Sequence, residues 1–148
     1  MKVNPINLLL ADDDADDCLF FKEALEELPI TSSLKTVNDG EQLMHLLNSM
    51  QDTLPDILFL DLNMPRKSGL ECLSEIKMDE KLRLLPIIIY STSFDHDVVN
   101  LVYERGAHHY IRKPVEFSDI KKVILEALTI IGKENPAEPS KEKFIIQA

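Results

Sequence analysis

Residues 57–65 read ILFLDLNMP, four apolar residues followed at once by an aspartate. A short run that is apolar throughout is typical of a strand covered on both faces, as in a parallel sheet with helices on either side. The run IIIYS at residues 87–91 has the same character. These two runs therefore predict central strands of an α/β fold.

The rest of the chain alternates short apolar runs with segments of helical period, which is the pattern of βαβ units. The apolar runs predict five strands, at Ile6 to Ala11, Leu34 to Asn38, Ile57 to Leu60, Ile87 to Ser91 and His109 to Arg112. The helical periods predict five helices, at Ala15 to Leu28, Glu41 to Met50, Gly69 to Lys77, Asp97 to Arg105 and Ser118 to Ile131. We expect a doubly wound (βα)5 sandwich whose first, third and fourth strands are central.

The composition changes after Gly132. Residues 133–143 read KENPAEPSKEK, and the apolar residues FII follow at 144–146. We predict one folded domain over residues 5–132 and a flexible tail with an apolar tag over 133–148. In a second interpretation, FII adds to a sheet edge or fills an apolar groove, in this molecule or in a partner.

The charge balance limits the partners of this chain of 148 residues. Sixteen Lys and Arg face 26 Asp and Glu, a net charge of -10. This charge repels phosphate backbones and anionic lipid surfaces, so we expect no nucleic-acid or membrane partner. Only two cysteines are present, and they have no CxxC spacing, which fits a reducing compartment; we expect a cytoplasmic protein.

Polar side chains follow four of the predicted strands where each strand ends. Asp12 and Asp13 follow the first strand, Asp61 the third, Ser91 closes the fourth, and Lys113 follows the fifth. Carboxyl ends of parallel strands share one edge of the sheet, where ligands bind. Three carboxylates placed there repel one another unless a cation lies among them or their pKa values rise, and oxygen ligands of this kind suit Mg²⁺ or Mn²⁺.

A lysine and a hydroxyl beside such an ion suit an anion, and phosphate is the obvious one. With Asp61 as a carboxylate nucleophile, the predicted reaction is phosphoryl transfer to that side chain, forming an acyl phosphate.

In these strand ends the chain resembles the receiver domain of two-component response regulators, over residues 5–131. The motifs are the acidic pair Asp12-Asp13, the loop DLNMPRKSGLE at 61–71 with its Pro65 and Gly69, Ser91, and the pair Lys113-Pro114. The loop and the long final helix are most similar to single-domain regulators paired with bacterial phytochromes.

The resemblance implies a flavodoxin-like fold with strand order 2-1-3-4-5, and phosphorylation of Asp61 by the phosphohistidine of a sensor histidine kinase or phosphotransfer protein. It implies that Asp13, Asp61 and the backbone carbonyl of Asn63 bind the metal directly, while Asp12 acts mainly through water. Lys113 would pair with the phosphoryl group. The Lys113-Pro114 peptide bond would be cis.

The resemblance also implies a switch, in which Ser91 moves to hydrogen-bond the phosphoryl group and Tyr110 turns inward. The fourth helix, fifth strand and fifth helix would then present a changed face to a downstream protein target or to a second copy in a homodimer. The chain would be a phosphoacceptor signalling domain, not an enzyme, although it would assist its own phosphorylation and dephosphorylation.

Alternative functions follow from the same residues. A metal-dependent phosphohydrolase with an Asp nucleophile usually has a second Asp two residues later, where this chain has Asn63. A flavin or nucleotide binder needs an anion cradle where residues 12–14 are acidic. A phosphorylation-independent interaction module would not need the intact acidic pair.

Of the remaining acids near the first strand, we predict that Asp14 caps the first helix and that Asp16 and Asp17 are solvated.

Overall fold

A computed structural model describes residues 5–50, 52–133 and 143–148. Its strands are β1 (Ile6–Ala11), β2 (Ser32–Val37), β3 (Ile57–Leu60), β4 (Ile87–Ser91), β5 (His109–Arg112) and β6 (Ile145–Ile146). Its helices are α1 (Ala15–Glu26), α2 (Gly40–Ser49), α3 (Gly69–Met78), α4 (His96–Glu104) and α5 (Phe117–Lys133). The five predicted strands and five predicted helices are all present, with ends that differ by at most two residues.

All strands belong to one parallel sheet of order β2-β1-β3-β4-β5-β6. The flavodoxin-like fold and the order 2-1-3-4-5 are confirmed, and a minor sixth strand is added beside β5. It is formed by part of the FII segment, as the second interpretation of the C-terminus expects. A two-residue strand has no periodicity, so only its apolar character could indicate it. Residues 134–142 of the predicted flexible tail lie outside the described residues.

The sheet separates two apolar cores. Side chains of α2, α3 and α4 cover one face, and side chains of α1 and α5 cover the other. Strands β3 and β4 are buried along their whole length, because both of their faces are covered, whereas the edge strand β2 is largely exposed. Central positions for the first, third and fourth strands are thus confirmed.

Four helices begin at a side-chain cap on the edge where the strands end. The caps are Asp14, Asp39, Ser68 and Asp95, and each accepts a hydrogen bond from a backbone N–H of the first turn. The predicted cap at Asp14 is confirmed. Capping satisfies the free N–H groups at each helix start and so stabilises the sharp loops that carry the polar residues. None of the described helices combines the length and the apolar character needed to cross a membrane.

Candidate phosphorylation site

Backbone hydrogen bonds between neighbouring strands place the predicted residues at one edge of the sheet. The amide of Asp12 donates to Val37 O (3.0 Å), that of Asp61 to Ala11 O (2.9 Å) and that of Lys113 to Ser91 O (2.9 Å). The sheet pairing therefore continues just beyond the strand ends and sets the positions of these side chains.

Three aspartates form an acidic cluster there. Asp12 and Asp61 are buried, with 1% and 5% of their surface exposed, while Asp13 is exposed to solvent. One carboxylate oxygen from each residue lies within 4.8 Å of the others. This spacing matches the prediction that the three carboxylates converge, and it allows them to bind one cation together.

Lys113 is the counter-charge of the cluster. Its Nζ lies 2.7 Å from Asp12 Oδ2 and 3.4 Å from Asp61 Oδ2, and only 8% of its side chain is exposed. Burial disfavours the charged ammonium, but the contacts with Asp12 and Asp17 outweigh burial and raise the pKa of Lys113. Lys113 is therefore cationic at neutral pH.

Burial also changes the titration of Asp12. Desolvation raises its pKa to about 6, and the charge of Asp61 adds to this effect, whereas the contacts with Lys113 and with the Asp14 amide oppose it. The buried Oδ2 of Asp12 has its short ion pair with Lys113 but no partner in hydrogen-bond geometry. The converging carboxylates of Asp12, Asp13 and Asp61, with Lys113 as their counter-charge, keep an excess of negative charge that is chemically suited to a hard divalent cation.

Asp17 belongs to the site, although the sequence predicts a solvated side chain. Its Oδ2 lies 2.8 Å from Lys113 Nζ. The prediction for Asp17 is wrong because α1 passes the end of β5, a contact between segments 96 residues apart in sequence. The available signal was helical spacing, since Asp17 lies one turn after Asp13 and so faces the same edge.

The loop after β3 depends on Gly69. A Cβ at this position would lie 2.0 Å from Asp61 O and 2.8 Å from Leu62 Cα, so only glycine fits without a shift of the backbone. The Gly69 amide donates to Leu62 O (2.9 Å), and Pro65 O accepts a bond from the Lys67 amide (2.7 Å). The glycine thus allows α3 to start directly against the backbone of Asp61.

Asn63 lies in the same loop and is exposed. Its amide is 3.4 Å from Asp61 Oδ1, and its side chain donates to Ser93 Oγ (3.1 Å). These contacts join the loop after β3 to the loop after β4. The role of its backbone carbonyl as a metal ligand stays a prediction.

Ser91 and Tyr110 are both fully buried. Ser91 Oγ accepts a hydrogen bond from the Ser93 amide (3.2 Å), and the Tyr110 hydroxyl donates to the Ser93 carbonyl. Tyr110 therefore already lies inward, packed between Phe94 and Phe144, with ring centroids 5.9 and 6.4 Å away. The switching role of the two residues stays a prediction.

The loop after β5 differs from expectation in one respect. The described residues contain no cis peptide bond, so the Lys113-Pro114 bond is trans and the expected cis bond is wrong. Lys113 is held instead by the hydrogen bond from its amide to Ser91 O and by its carboxylate partners.

Comparison with known proteins agrees with this geometry. The family of the response regulator receiver domain matches residues 8–125. The chain belongs to this family. As a receiver domain, it is 30% identical to the probable methanogenesis regulatory protein FilR2 of Methanothrix harundinacea, over 83% of this chain and 81% of that protein. It is 31% identical to the response regulator Rcp1 of Synechocystis, over 81% of this chain and 84% of that protein.

Solved structures give the same result. The phosphorylated cyanobacterial phytochrome response regulator RcpA is similar with a TM-score of 0.79 and 28% identity, over 88% of this chain and 96% of that one. The Mn²⁺-bound form of Rcp1 is similar with a TM-score of 0.77 and 28% identity, over 92% of this chain and 100% of that one. The predicted similarity to phytochrome-associated regulators is confirmed, and the receiver domain is a module of two-component signalling.

Proposed function

We propose that this receiver domain accepts a phosphoryl group on Asp61 from the phosphohistidine of a sensor histidine kinase or a phosphotransfer protein. The observation that carries the proposal is the position of Asp61 at the sheet edge, within 4.8 Å of two further carboxylates and 3.4 Å from a lysine Nζ. In the transfer, the phosphorus–nitrogen bond of the donor breaks and a bond to a carboxylate oxygen of Asp61 forms. The imidazole leaves as a neutral group after it takes up a proton.

The residues fit a divalent cation, Mg²⁺ or Mn²⁺. Asp13, Asp61 and the Asn63 carbonyl would hold it directly and Asp12 mainly through water, and the ion would neutralise charge on the transferred phosphoryl oxygens. The structural feature that favours a cation is the convergence of one carboxylate oxygen each from Asp12, Asp13 and Asp61 within 4.8 Å of one another. Lys113 stays protonated and supplies a second positive charge beside Asp61.

An apolar surface beside the site suits the donor protein. Leu19 and Phe20 on α1 are 50% and 46% exposed, and Val115 in the loop after β5 is 97% exposed. The ion pair between Asp17 and Lys113 holds α1 and this loop next to each other. Exposed apolar side chains around a polar site are typical of a docking surface, and here they would orient the histidine of the donor toward Asp61.

The response to phosphorylation would pass through Ser91 and Tyr110. A phosphoryl group on Asp61 would attract the Ser91 hydroxyl, change the loop that bonds to Tyr110, and so alter the face of α4, β5 and α5. A protein target, or a second copy in a homodimer, would bind that face. We place this signalling in the cytoplasm, in agreement with the two unpaired cysteines, and we assign the chain no substrate other than its own phosphodonor.

Phosphotransfer profiling of the purified chain tests the proposal. Each histidine kinase of the source organism is autophosphorylated with labelled ATP and mixed with wild type, Asp61→Asn or the control Asp52→Asn, which changes an exposed aspartate. We expect one hydroxylamine-labile label per chain for wild type and Asp52→Asn, none for Asp61→Asn, and none for any variant in excess chelator. Undiminished labelling of Asp61→Asn would refute the assignment.

A further inference from the structure

Residues 143–148, here called the C-terminal segment, cover the open edge of β5. The amide of Tyr110 donates to Phe144 O (2.9 Å), and the strand pairing continues with Ile111 opposite Ile146. The Nδ1 atom of His109 lies 3.0 Å from Lys143 O. The backbone of the segment is therefore bound by the same strand that carries Tyr110.

Two side chains anchor the segment on opposite faces of the sheet. Phe144 has 2% of its surface exposed and packs edge-on against Tyr103 of α4, with the two ring centroids 5.0 Å apart. Ile146, also 2% exposed, joins the core under α1 and α5. Ile145 between them faces outward and is 37% exposed.

A chain of contacts joins this segment to the phosphorylation site. Ser91 Oγ accepts from the Ser93 amide, the Ser93 carbonyl accepts from the Tyr110 hydroxyl, and the Tyr110 ring packs on Phe144. Tyr110 has no exposed surface. Phe144 packs on Tyr103 of α4 as well as on the Tyr110 ring, so docked Phe144 would oppose an outward turn of that ring.

We propose that docking of the C-terminal segment on β5 and phosphorylation of Asp61 favour the same inward position of Tyr110, so that each event stabilises the other. This inference rests on the proposed function. Two ligands that prefer one conformational state must cooperate, and the coupling is equal in both directions. The C-terminal segment is thus an internal ligand of the switch. When it leaves, the hydrogen-bonding groups of β5 are free to bind an extended peptide of a partner.

Hydrogen exchange in the full chain tests one direction of the coupling. Beryllofluoride with Mg²⁺ imitates the phosphoryl group, and the Tyr110 amide reports docking because its acceptor is Phe144 O. We expect beryllofluoride to slow exchange at Tyr110 by about fivefold or more. The Ile6 amide, which donates to Thr31 O just before β2 at the far edge of the sheet, is the control and should change little. Unchanged or faster exchange at Tyr110 would overturn the inference.

The variants Phe144→Ala and Ile145→Ala test the other direction. In Phe144→Ala, the affinity for beryllofluoride should fall by the same factor by which beryllofluoride slows exchange at the Tyr110 amide in wild type. The affinity of Phe144→Leu should lie between those of Phe144→Ala and wild type. Ile145→Ala shortens an exposed side chain of the same strand and should bind like wild type. Equal affinity of Phe144→Ala and wild type would contradict the coupling.

The two proposals fail in different ways. A wild-type chain that binds no beryllofluoride and takes up no label from any kinase refutes the proposed function and the coupling together. A chain that is phosphorylated on Asp61 but whose Tyr110 amide and Phe144→Ala variant show no response refutes the coupling alone.

Discussion

Lys113 lies nearer to Asp12 than to the proposed phosphoacceptor Asp61: its Nζ is 2.7 Å from Asp12 Oδ2 and 3.4 Å from Asp61 Oδ2. Its ammonium also lies 2.8 Å from Asp17 Oδ2. The lysine is therefore the main charge that offsets three carboxylates, and a divalent cation in the cluster must share these carboxylates with it.

Replacement of Lys113 by Met should have opposite effects on stability and on metal binding. Without metal, the variant leaves buried Asp12 unpaired and should lose about 3 kcal/mol of unfolding free energy. Removal of a positive charge beside the site should strengthen Mg²⁺ binding by roughly tenfold. Urea unfolding and calorimetric Mg²⁺ titration measure the two effects.

Lys121→Met is the matched control for that variant. It removes the same charge, but Lys121 is partly exposed, forms an ion pair with Glu27 at 3.2 Å and lies over the Phe117 ring, away from the acidic cluster. Its Mg²⁺ affinity should stay near that of wild type. If Lys113→Met binds Mg²⁺ no more tightly than this control, Lys113 does not compete with the ion.

Asp17→Asn tests the added member of the site. The variant loses the contact with Lys113 and should cost about 1 kcal/mol of unfolding free energy, because the pair is partly buried. Asp16→Asn changes an exposed carboxylate in the same helical turn and should cost less than about 0.5 kcal/mol. Equal losses in the two variants, measured by urea unfolding, would show that only the helix dipole is involved.

Much of this site is predictable from the sequence because each strand ends at a polar residue, and parallel pairing brings those ends to one edge. The positions of Asp12, Asp61, Ser91 and Lys113 at that edge follow from this rule. The place of Asp17 does not follow from it, because its partner Lys113 is set by the packing of α1 beside the loop after β5.

Strand β6 shows a second limit of sequence reasoning. The apolar residues at 144–146 indicate burial somewhere, but a segment this short carries no signal for its pairing partner. Phe144 packs beside Tyr110 because the C-terminal segment pairs with the edge of β5. That edge forms only when the whole sheet is assembled, so the sequence around residue 144 does not indicate it.

Gly69→Ala should damage both stability and phosphorylation. The added Cβ meets backbone atoms of Asp61 and Leu62 rather than the end of a flexible side chain. We expect a loss of about 2 kcal/mol or more in unfolding free energy, and slower phosphorylation because Asp61 is displaced. Thermal unfolding and phosphotransfer rates measure these effects.

Gly132→Ala provides the comparison for that substitution. Nothing lies within 4 Å of a Cβ placed at Gly132, near the end of α5. This variant should be unchanged or more stable by up to about 1 kcal/mol, because alanine favours the helix. If Gly69→Ala were equally harmless, close packing behind Asp61 would not constrain this loop.

His108 should make the fold less stable in mild acid. Burial, together with the nearby charges of Lys77 and His109, lowers its pKa from 6.5 to about 4, and its Nδ1 accepts a hydrogen bond from the Ile87 amide (3.2 Å). Between these two pKa values the unfolded chain binds a proton that the folded chain does not. This residue's contribution to stability is therefore complete above pH 6.5 and decreases as the pH falls toward 4.

Asp12 titrates in a pH range that overlaps that of His108, but its effect on the pH dependence of stability has the opposite sign. Its folded pKa is raised from 3.8 to about 6, so its contribution to stability is lost as the pH rises through that interval. Comparison with His108→Asn separates the two effects, because asparagine keeps an acceptor near Nδ1 but does not titrate. Relative to this variant, wild type should lose on the order of 2–3 kcal/mol between about pH 7 and pH 4 in urea unfolding. A constant difference between the two proteins across that range would mean that His108 is not held neutral by the fold.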